Sequence, residues 1–438
     1  MPWRGTEIGD ERTRMLENDR LLTYIQLEGD AQTALFDHYK VSLSHQRHSE
    51  GQYRIRGNGR IDNQGLDLDS YGAWAQFDRD LEFTDLIYGF SYYQDRVDSF
   101  RDDYNADGSL RAHRIQGPVG DDGTYHLADF FFNTSTPVGD RLVVDLGARY
   151  TYAEAEIGSV EDTDTGEAFS INDSWDHAVA SGRASYRLDD AGEWRLFGGI
   201  SQAFRAPNFS DLSRLDSNRS SEIETPSPGL GPEKFVTYEI GVKTQSDRFG
   251  AELSYYYTDI SDLILRTPTG RVVDGLDEVI KSNVGDGYVH GVELSGSFEI
   301  CDGLTLFGGF AWQESSVSTY PTSEPDLVDE PLSRLLPTSG YGGARFEFAD
   351  GRAWIETQVT AAARADRLSS SDVRDTQRIP PGGTPGYWIA TLRGGCRVTD
   401  NILLTAAVEN IFDEEYRAHG SGQNEPGTNF VFGAEIRF

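Results

Sequence analysis

The chain has 438 residues, of which 37% are hydrophobic and 12% aromatic, and its 39 basic and 72 acidic residues give a net charge of −33. This charge excludes a nucleic-acid-binding protein, which needs a basic patch, and a protein that docks on an anionic membrane surface. The hydrophobic content is low for a soluble two-layer protein, but it suffices for a single barrel domain over residues 1–438, because the strands of such a barrel need only one apolar face.

The chain begins without an apolar segment. The sequence MPWRGTEIGDERTR lacks the hydrophobic stretch of a signal peptide, so we expect an exported chain that is processed or truncated at its N-terminus. A run of about 18 apolar residues is also missing, which argues against a transmembrane helix. We interpret the acidic surface as a source of solubility, with the steering of cationic ligands as the alternative.

Alternation of apolar and polar residues over about ten positions predicts strands with one apolar face. In chain order, the first strand lies near Leu21–Gly29, and the pattern recurs over Arg141–Thr151, Arg248–Thr258 and Thr428–Phe438. Several apolar rows end in aromatic residues, as lipid-facing rows do at the headgroups. The pattern predicts an all-β protein, an antiparallel transmembrane β-barrel.

The last strand carries Phe430, Phe432 and Phe438 on its apolar row, and the chain ends at Phe438. We interpret this segment as the strand that closes the barrel and as its signal for membrane insertion.

The predicted connections have two lengths that alternate along the chain. Short ones, rich in Asp and Gly, lie at Pro137–Asp140, Asp189–Glu193, Gln245–Asp247, Cys301–Gly303, Ala349–Gly351 and Thr399–Asn401. Long polar ones lie at about Arg101–Tyr125, Glu161–Asp176, Pro207–Lys234, Ser261–Gly285, Tyr320–Leu336, Leu368–Pro385 and Asp413–Thr428. This segregation predicts short periplasmic turns and long extracellular loops.

We predict about 17 strands, and because the last one runs toward the periplasm, the first does too. Residues Met1–Asp19 are then an extracellular loop. Bacterial barrels have even strand numbers and begin in the periplasm, so an odd count predicts that N-terminal strands are missing. The first and last strands would be edges that are costly in lipid, and we expect an open barrel or a re-closure between them.

Several segments resemble TonB-dependent outer-membrane receptors. The stretch VENIFDEEYRAHGSGQNEPGTNFVFGAEIRF from Val408 is the most specific, and ERTRMLENDRLLTYIQLEGD from Glu11 and SPGLGPEKFVTYEIGVK from Ser227 are similar to other parts of the family. Its motif positions here are Phe204, Arg205, Ala206 and Pro207 of an FRAP sequence, and Pro232, Glu233 and Lys234 of a PEK sequence. We interpret them as structural, since proline fixes φ where strand pairing stops.

The resemblance implies a barrel of about 22 strands whose lumen is filled by an N-terminal plug. This chain would lack the plug, the TonB-binding segment and the first strands. The resemblance further implies a monomer in the outer membrane of a Gram-negative-type bacterium, embedded in its lipid. The intact receptor would bind a scarce nutrient in its outer loops and import it when TonB pulls on the plug.

A ferric siderophore is the expected nutrient, because it is the commonest in the family. A plugless passive pore or a non-functional remnant is the alternative. A surface enzyme is a third class, but no nucleophile elbow, P-loop or zinc motif occurs, so we expect no enzymatic activity.

The sequence offers one candidate metal site. Asp103, Asn105 and Asp107 match the first half of a D-x-N-x-D-G calcium loop. Position twelve of that loop is Arg114 where a bidentate Glu is needed, so an Asx-rich polar turn is the alternative. We expect no other cofactor.

Histidines give little support to a ligand site. Haem receptors of similar layout carry a ligand histidine between the FRAP and PEK motifs, and residues 208–226 contain none, which disfavours haem. His45 and His48 point to opposite faces of a strand. We interpret His290, on an apolar row, as interfacial, whereas His113 and His419 lie in outer loops where a ligand could reach them.

Two further residue types have simple interpretations. Cys301 and Cys396 lie in different hairpins, so we expect isolated thiols. Glu252 and Glu293 alternate with apolar residues, so we expect them to line the lumen.

Overall fold

The computed structural model describes residues 3–7, 9, 11–217, 222–273, 275–321 and 325–437. These residues form one sheet of 21 strands and three short helices. The strands are β1 (Thr13–Asp30), β2 (His38–Ile55), β3 (Ile61–Leu81), β4 (Thr84–Tyr104), β5 (Leu110–His113), β6 (Asp121–Val138), β7 (Leu142–Glu161), β8 (Ala168–Arg187), β9 (Trp194–Arg205), β10 (Asp216–Ser217), β11 (Glu222–Glu224), β12 (Glu233–Gln245), β13 (Phe249–Val273), β14 (Leu276–Cys301), β15 (Leu304–Thr319), β16 (Val328–Glu330), β17 (Ser339–Phe348), β18 (Ala353–Ala362), β19 (Tyr387–Thr399), β20 (Ile402–Glu409) and β21 (Asn429–Ile436). The helices are a 3₁₀ helix (Trp3–Gly5), α1 (Phe209–Ser213) and α2 (Ser370–Arg374).

The long strands follow one another as an antiparallel meander. Each long strand between β1 and β21 pairs with the long strand before it and the one after it, whereas β5, β10, β11 and β16 are short additions at one end of the sheet. Without these four, 17 of the 21 described strands remain, which agrees with the predicted number.

The longest connections all lie at one end of the sheet, as predicted, although this end also has three short ones. At the turn end of the sheet the connections comprise residues 31–37, 82–83, 139–141, 188–193, 246–248, 302–303, 349–352 and 400–401. At the loop end they comprise residues 56–60, 105–120, 162–167, 206–232, 274–275, 320–338, 363–386 and 410–428. The loop end therefore holds nearly all of the irregular chain.

The two faces of the sheet have opposite chemistry. Phe90, Phe130 and Tyr150 are cross-strand neighbours on one face and are 50%, 54% and 48% exposed. On the other face, the buried Asp129 carboxylate accepts a hydrogen bond from Ser91 Oγ at 2.9 Å. An apolar outer face and a polar inner face are the pattern of a barrel in lipid.

Several predicted strand ends are wrong. The segment Ser261–Gly285 was expected to be a loop, but β13 and β14 continue to Val273 and from Leu276, with register shifts that include one between Ile260 and Leu263. The expected loop Met1–Asp19 likewise contains the first part of β1. Backbone pairing continues above the lipid, where no apolar row is needed, so polarity does not mark where a strand ends.

The sheet has two edges, β1 and β21. Within the described residues no backbone pairing joins these two strands, so of the two expected outcomes the structure has the open barrel. Phe430 and Phe432 lie on the outer face of β21 and are 63% and 79% exposed. Phe438 lies outside the described residues, and the insertion role of this strand stays a prediction.

The segment before β1 bridges the open seam at the loop end. The Glu7 amide donates to the Thr376 carbonyl at 2.9 Å, and the Thr376 hydroxyl donates to the Glu7 carboxylate at 2.7 Å. The Arg417 guanidinium lies over the Trp3 ring, 4.5 Å from its centroid. Thr376 and Arg417 lie in the loops before β19 and β21, so the sheet is rolled until its ends meet through loops.

The helices are confined to the loops. Over the ranges given above, none of them is long and apolar enough to cross a membrane.

Candidate functional site

A small apolar core lies at the loop end of the sheet. Its buried members come from β7, β8 and the loop 206–232, and they are Ala155, Ile157, Val160, Ile171, Leu212 and Leu230. Trp175 of β8 packs against them and donates from Nε1 to the Leu230 carbonyl at 2.7 Å. We call the described part of this loop, residues 206–217 and 222–232, the cap, since this core fixes it over the ends of these strands.

The FRAP and PEK sequences meet at the two ends of the cap. Arg205 ends β9 and pairs directly with Glu233, which begins β12. Arg205 Nε donates to Glu233 Oε2 at 2.5 Å and its NH1 donates to Asp211 Oδ2 at 2.6 Å. Glu233 Oε1 accepts the Ile264 amide at 2.9 Å, which ties the start of β12 to β13 beside the cap.

Asp211 lies at the first turn of α1 and is buried. Asn208 and Asp211 exchange side-chain to backbone hydrogen bonds of 2.9 and 3.1 Å, which form a capping box. Burial alone would raise the pKa of the Asp211 carboxyl, but its hydrogen bond from Arg205, its bond from the Asn208 backbone and the charge of Lys281 lower it overall. Asp211 is therefore held as an anion.

The other motif positions serve the same junction. Phe204 and Lys234 are paired across β9 and β12, and Lys234 Nζ donates to Asp262 at 2.8 Å. The Pro207 carbonyl accepts the Tyr125 hydroxyl at 3.1 Å. Ala206 and Pro232 lie where the strand pairing stops. We therefore propose that the seven FRAP and PEK positions have a structural role at the junction between the strands and the cap.

A second loop segment, residues 114–120, packs beside the cap. The buried Gln116 donates from Nε2 to the Ser213 carbonyl at 2.6 Å and accepts the Glu161 amide at 2.8 Å. The Gly120 amide donates to Ser213 Oγ at 2.8 Å. Through these bonds α1 is held against the ends of β6 and β7.

Between these segments and the β2–β3 connection lies a cavity of about 260 Å³. Its apolar lining comes mainly from the cap and the β13–β14 tip. Its charged lining residues are Arg56, Arg60, Arg101, Arg111, Arg114, Asp62, Asp103, Glu161 and Asp216. We call this cavity the arginine pocket.

Buried aspartates hold several of these arginines in place. Asp62 accepts hydrogen bonds from Arg54 at 2.9 Å and from Arg56 at 2.8 Å. Asp103 accepts hydrogen bonds from Arg101 at 3.0 Å and from Arg114 at 2.9 Å. Each aspartate therefore orients a pair of guanidinium groups.

The predicted calcium residues do not form a cage of oxygen ligands. The Asp103 carboxylate is occupied by its two arginines, while Asp107 Oδ1 accepts the Ser109 amide at 2.9 Å and Asn105 donates to Ser109 Oγ at 3.0 Å. Across the described residues, no group of three or more His, Cys, Asp and Glu side chains is placed to hold a metal ion. The geometry favours the Asx turn, and calcium binding stays a prediction for titration to test.

His45 and His290 lie on strands and contact aromatic rings. His45 Nε2 is 2.7 Å from Asp69 Oδ1, and its ring stacks on Tyr71. His290 lies in an aromatic group on β13, β14 and β15, with ring centroids 5.3 Å from Trp312 and 5.6 Å from Tyr288. This environment fits an interfacial side chain on the outer face.

The two histidines that were predicted to lie in outer loops differ: His113 ends the short strand β5, and His419 lies in the loop before β21. His113 is exposed and its Nδ1 lies 2.6 Å from Asp102 Oδ1. His419 is buried, and its Nδ1 lies 2.8 Å from Thr384 Oγ1. Burial lowers the pKa of His419, with a smaller raising effect from Asp372. Of the two, only His113 is placed to meet an external ligand.

The remaining predicted residues lie far from the pocket. Cys301 and Cys396 are free and exposed near the turn end. Glu252 and Glu293 line a cavity of about 300 Å³ on the inner face of β13 to β15. These positions match the expected isolated thiols and lumen lining.

Sequence reasoning missed the arginine pocket. Its arginines come from the β2–β3 connection, β4, β5 and segment 114–120, so no local spacing joins them. One signal was available: Arg54, Arg56 and Arg60 cluster within seven positions of a strongly acidic chain.

The comparison with protein families gives a match over most of the chain. The family model described as TonB dependent receptor-like, beta-barrel matches residues 2–411.

Individual relatives are more distant. The Vitamin B12 transporter BtuB of Photobacterium profundum is 22% identical over 408 residues, covering 88% of this chain and 60% of that protein. The Catecholate siderophore receptor Fiu of Escherichia coli (strain K12) is 26% identical over 237 residues, covering 54% of this chain and 29% of that protein. The chain thus spans about 60% of the length of BtuB. The two names are those of a transporter and a receptor, in agreement with the expectation that the chain is not an enzyme.

Among solved structures, the Copper transporter OprC superposes with a TM-score of 0.78 at 17% identity, covering 98% of this chain and 67% of that chain. This likeness confirms the predicted fold, an antiparallel β-barrel.

Proposed function

The chain belongs to the TonB-dependent receptor β-barrel family, and we propose on that basis that it is the loop-bearing barrel of a nutrient receptor. It is a protein of the Gram-negative outer membrane. The receptor binds a scarce nutrient at its loop end, and in the intact protein TonB supplies the energy for import. The observation that carries this proposal is the cap, which is fixed by its own core and lines a pocket among the outer loops.

A ferric siderophore is the proposed nutrient. Residues 208–226 contain no histidine for haem iron, and the name of one relative, Fiu, is that of a catecholate siderophore receptor. Metal chelates with oxygen ligands also suit a pocket that five arginines line beside four carboxylates, because guanidinium groups pair with anionic oxygens in a bidentate manner.

Uptake by whole cells tests this proposal. Cells that carry the gene and cells that lack it would be compared for uptake of iron-55 bound to siderophores and of cobalt-57 in cobalamin, with and without TonB. We expect gene- and TonB-dependent uptake of iron. Uptake of cobalamin alone would refute the siderophore, and uptake that is independent of the gene would refute the receptor.

One observation favours a second function, a passive pore. The inner face carries a cavity of about 660 Å³ whose lining includes Arg195, Lys243 and Glu252. A water-filled polar lumen conducts ions. Planar-bilayer recordings of the chain test this, and a silent bilayer at confirmed insertion would exclude the pore.

A further inference from the structure

We propose that the β1–β2 turn, residues 31–37, is a membrane anchor that inserts Leu35 and Phe36 into the phospholipid leaflet on the periplasmic side. This turn is the longest connection that the structure describes at the turn end. The inference goes beyond nutrient binding, because it assigns a lipid-binding role to a segment at the opposite end of the sheet from the cap.

The direction in which the turn folds is the first argument. Tyr39, Phe77 and Tyr88 are paired in one row across β2, β3 and β4. Tyr88 lies two positions before Phe90, so this row is on the apolar outer face. The ring centroid of Phe36 is 5.0 Å from that of Phe77 and 5.9 Å from that of Tyr39. The turn therefore folds back onto the outer face and extends its aromatic row.

The tip of the turn presents an apolar side chain to its surroundings. Leu35 is 69% exposed, and its carbonyl accepts the Tyr88 hydroxyl at 3.2 Å, which holds this residue on the outer side. Phe83, in the next turn at the same end, is 68% exposed. Exposed apolar side chains on an ordered segment indicate an interaction site. Acyl chains are the partner that continues the lipid contact of the aromatic row.

The hydrogen bonding of the tip is the second argument. A segment that enters lipid needs a partner within the protein for each backbone N–H and C=O group. Thr33 Oγ1 accepts the amides of Leu35 at 3.1 Å and Phe36 at 2.9 Å. The Phe36 carbonyl accepts the Thr33 amide at 3.1 Å, and the Leu35 carbonyl is bonded to Tyr88. All four backbone polar groups of the two inserting residues are therefore paired, as insertion requires.

The base of the turn is charged. Arg79 donates from NH1 to the Thr33 carbonyl at 3.0 Å and to Asp37 at 2.6 Å, which fixes the turn against β3. Asp30, at the end of β1, is 92% exposed and lies 3.0 Å from His38 Nδ1. An apolar tip on a charged base is the arrangement of a segment that lies at a membrane interface, with its charges on the water side.

Other turns at this end have the opposite chemistry. Turns 188–193, 302–303 and 400–401 carry Asp190, Asp302 and Asp400, whose side chains are 93%, 98% and 87% exposed. Each of these aspartates pairs with an arginine of a neighbouring turn. Exposed charges of this kind suit water and are costly in lipid. Of these four turns, 31–37 is the one whose side chains and backbone fit lipid.

Depth measurements by electron paramagnetic resonance test the inference on the whole chain, folded into vesicles of phosphatidylethanolamine and phosphatidylglycerol. The free and exposed Cys301 and Cys396 are both replaced by Ser. A nitroxide label is then attached at Leu35→Cys or, as the control, at Asp302→Cys. The ratio of the label's accessibility to oxygen, which concentrates among acyl chains, to its accessibility to a water-soluble nickel chelate reports its depth.

We expect this ratio to be several-fold higher at position 35 than at position 302. Adding Tyr88→Phe removes the hydroxyl that holds the tip, so the ratio at position 35 should fall toward that of the control. Tyr186→Phe, which alters another exposed tyrosine, should leave it unchanged. Because position 35 is exposed, the labelled chain should fold, and circular dichroism checks this.

Two results would overturn the inference. Equal ratios at positions 35 and 302 in the folded chain would mean that the apolar tip lies in water, as a docking surface for a periplasmic protein would. An equal fall in the Tyr88→Phe and Tyr186→Phe variants would mean that the depth of the label does not depend on how this turn is held. Neither result bears on nutrient uptake, which is tested separately.

Discussion

Replacing Leu212 by Ala should release the cap while leaving the barrel intact. Leu212 is fully buried, at 0% exposed, in the core that joins the loop 206–232 to β7 and β8. A Leu→Ala change at such a site costs about 2–5 kcal/mol, since it removes buried methyl groups and leaves a cavity. The barrel strands are held by continuous backbone pairing, so this loss falls on the cap alone.

Hydrogen exchange measures that loss directly. At about 1.4 kcal/mol per tenfold, amide protection in residues 206–232 should fall by roughly 30- to 3,000-fold, or to the level of an unfolded loop if the cap is less stable than this. Protection within β15 and β18 should be unchanged. The matched control is Leu336→Ala, a change at a loop residue that is 56% exposed. Unchanged protection of the cap in Leu212→Ala would refute the claim that this core holds it.

Three other perturbations have defined outcomes. Glu233→Gln weakens the charged bond with Arg205 at the base of the cap and should cost about 1–3 kcal/mol, read as faster exchange of the cap. Because burial depresses the pKa of His419, the loop that carries it should be fully stable above the unfolded pKa of about 6.5 and should lose protection as the pH falls below it. Gly241→Ala places a methyl group in overlap with the Phe197 ring, so resistance to urea should fall by about 1–3 kcal/mol.

Each of these perturbations has a control. Glu347→Gln alters an exposed ion pair at the turn end and should leave the cap unchanged. A His419→Gln variant should lose the acid sensitivity of its loop, and equal sensitivity in both proteins would contradict the assignment. Gly182→Ala adds a methyl group that meets its nearest neighbour at 3.5 Å. If this variant loses as much stability as Gly241→Ala, the ring contact is not the cause.

The parts of the fold that lipid dictates were predictable from the sequence. A strand such as β7 must show lipid an unbroken apolar row, so its pattern, its turns and the strand count could be inferred. Above the lipid this constraint ends. The pairing of β13 with β14 beyond Ile260 is maintained by backbone hydrogen bonds and polar contacts, which leave no periodic signal.

The candidate site was predictable only in part. The FRAP and PEK sequences indicated a junction, but the bond between Arg205 and Glu233 depends on the register of β9 with β12. The arginine pocket depends on how several chain segments meet, and the burial of His419 depends on packing between two loops. Neither is visible in local spacing, because the residues involved are far apart in the chain.

The inner face shows how register is fixed without an apolar core. Aromatic side chains there lie against a glycine directly opposite on the next strand, as in Phe131 with Gly89, Phe197 with Gly241, Phe307 with Gly343 and Trp354 with Gly395. A Cβ atom at Gly241 or Gly395 would overlap the ring opposite it. A shift in register would place a residue with a side chain opposite the ring, so the contact would be lost and the ring would clash with that side chain. Arg149, Lys243 and Arg345 lie over three of these rings. Each ring therefore occupies the space beside its glycine, and this contact fixes the register of the two strands.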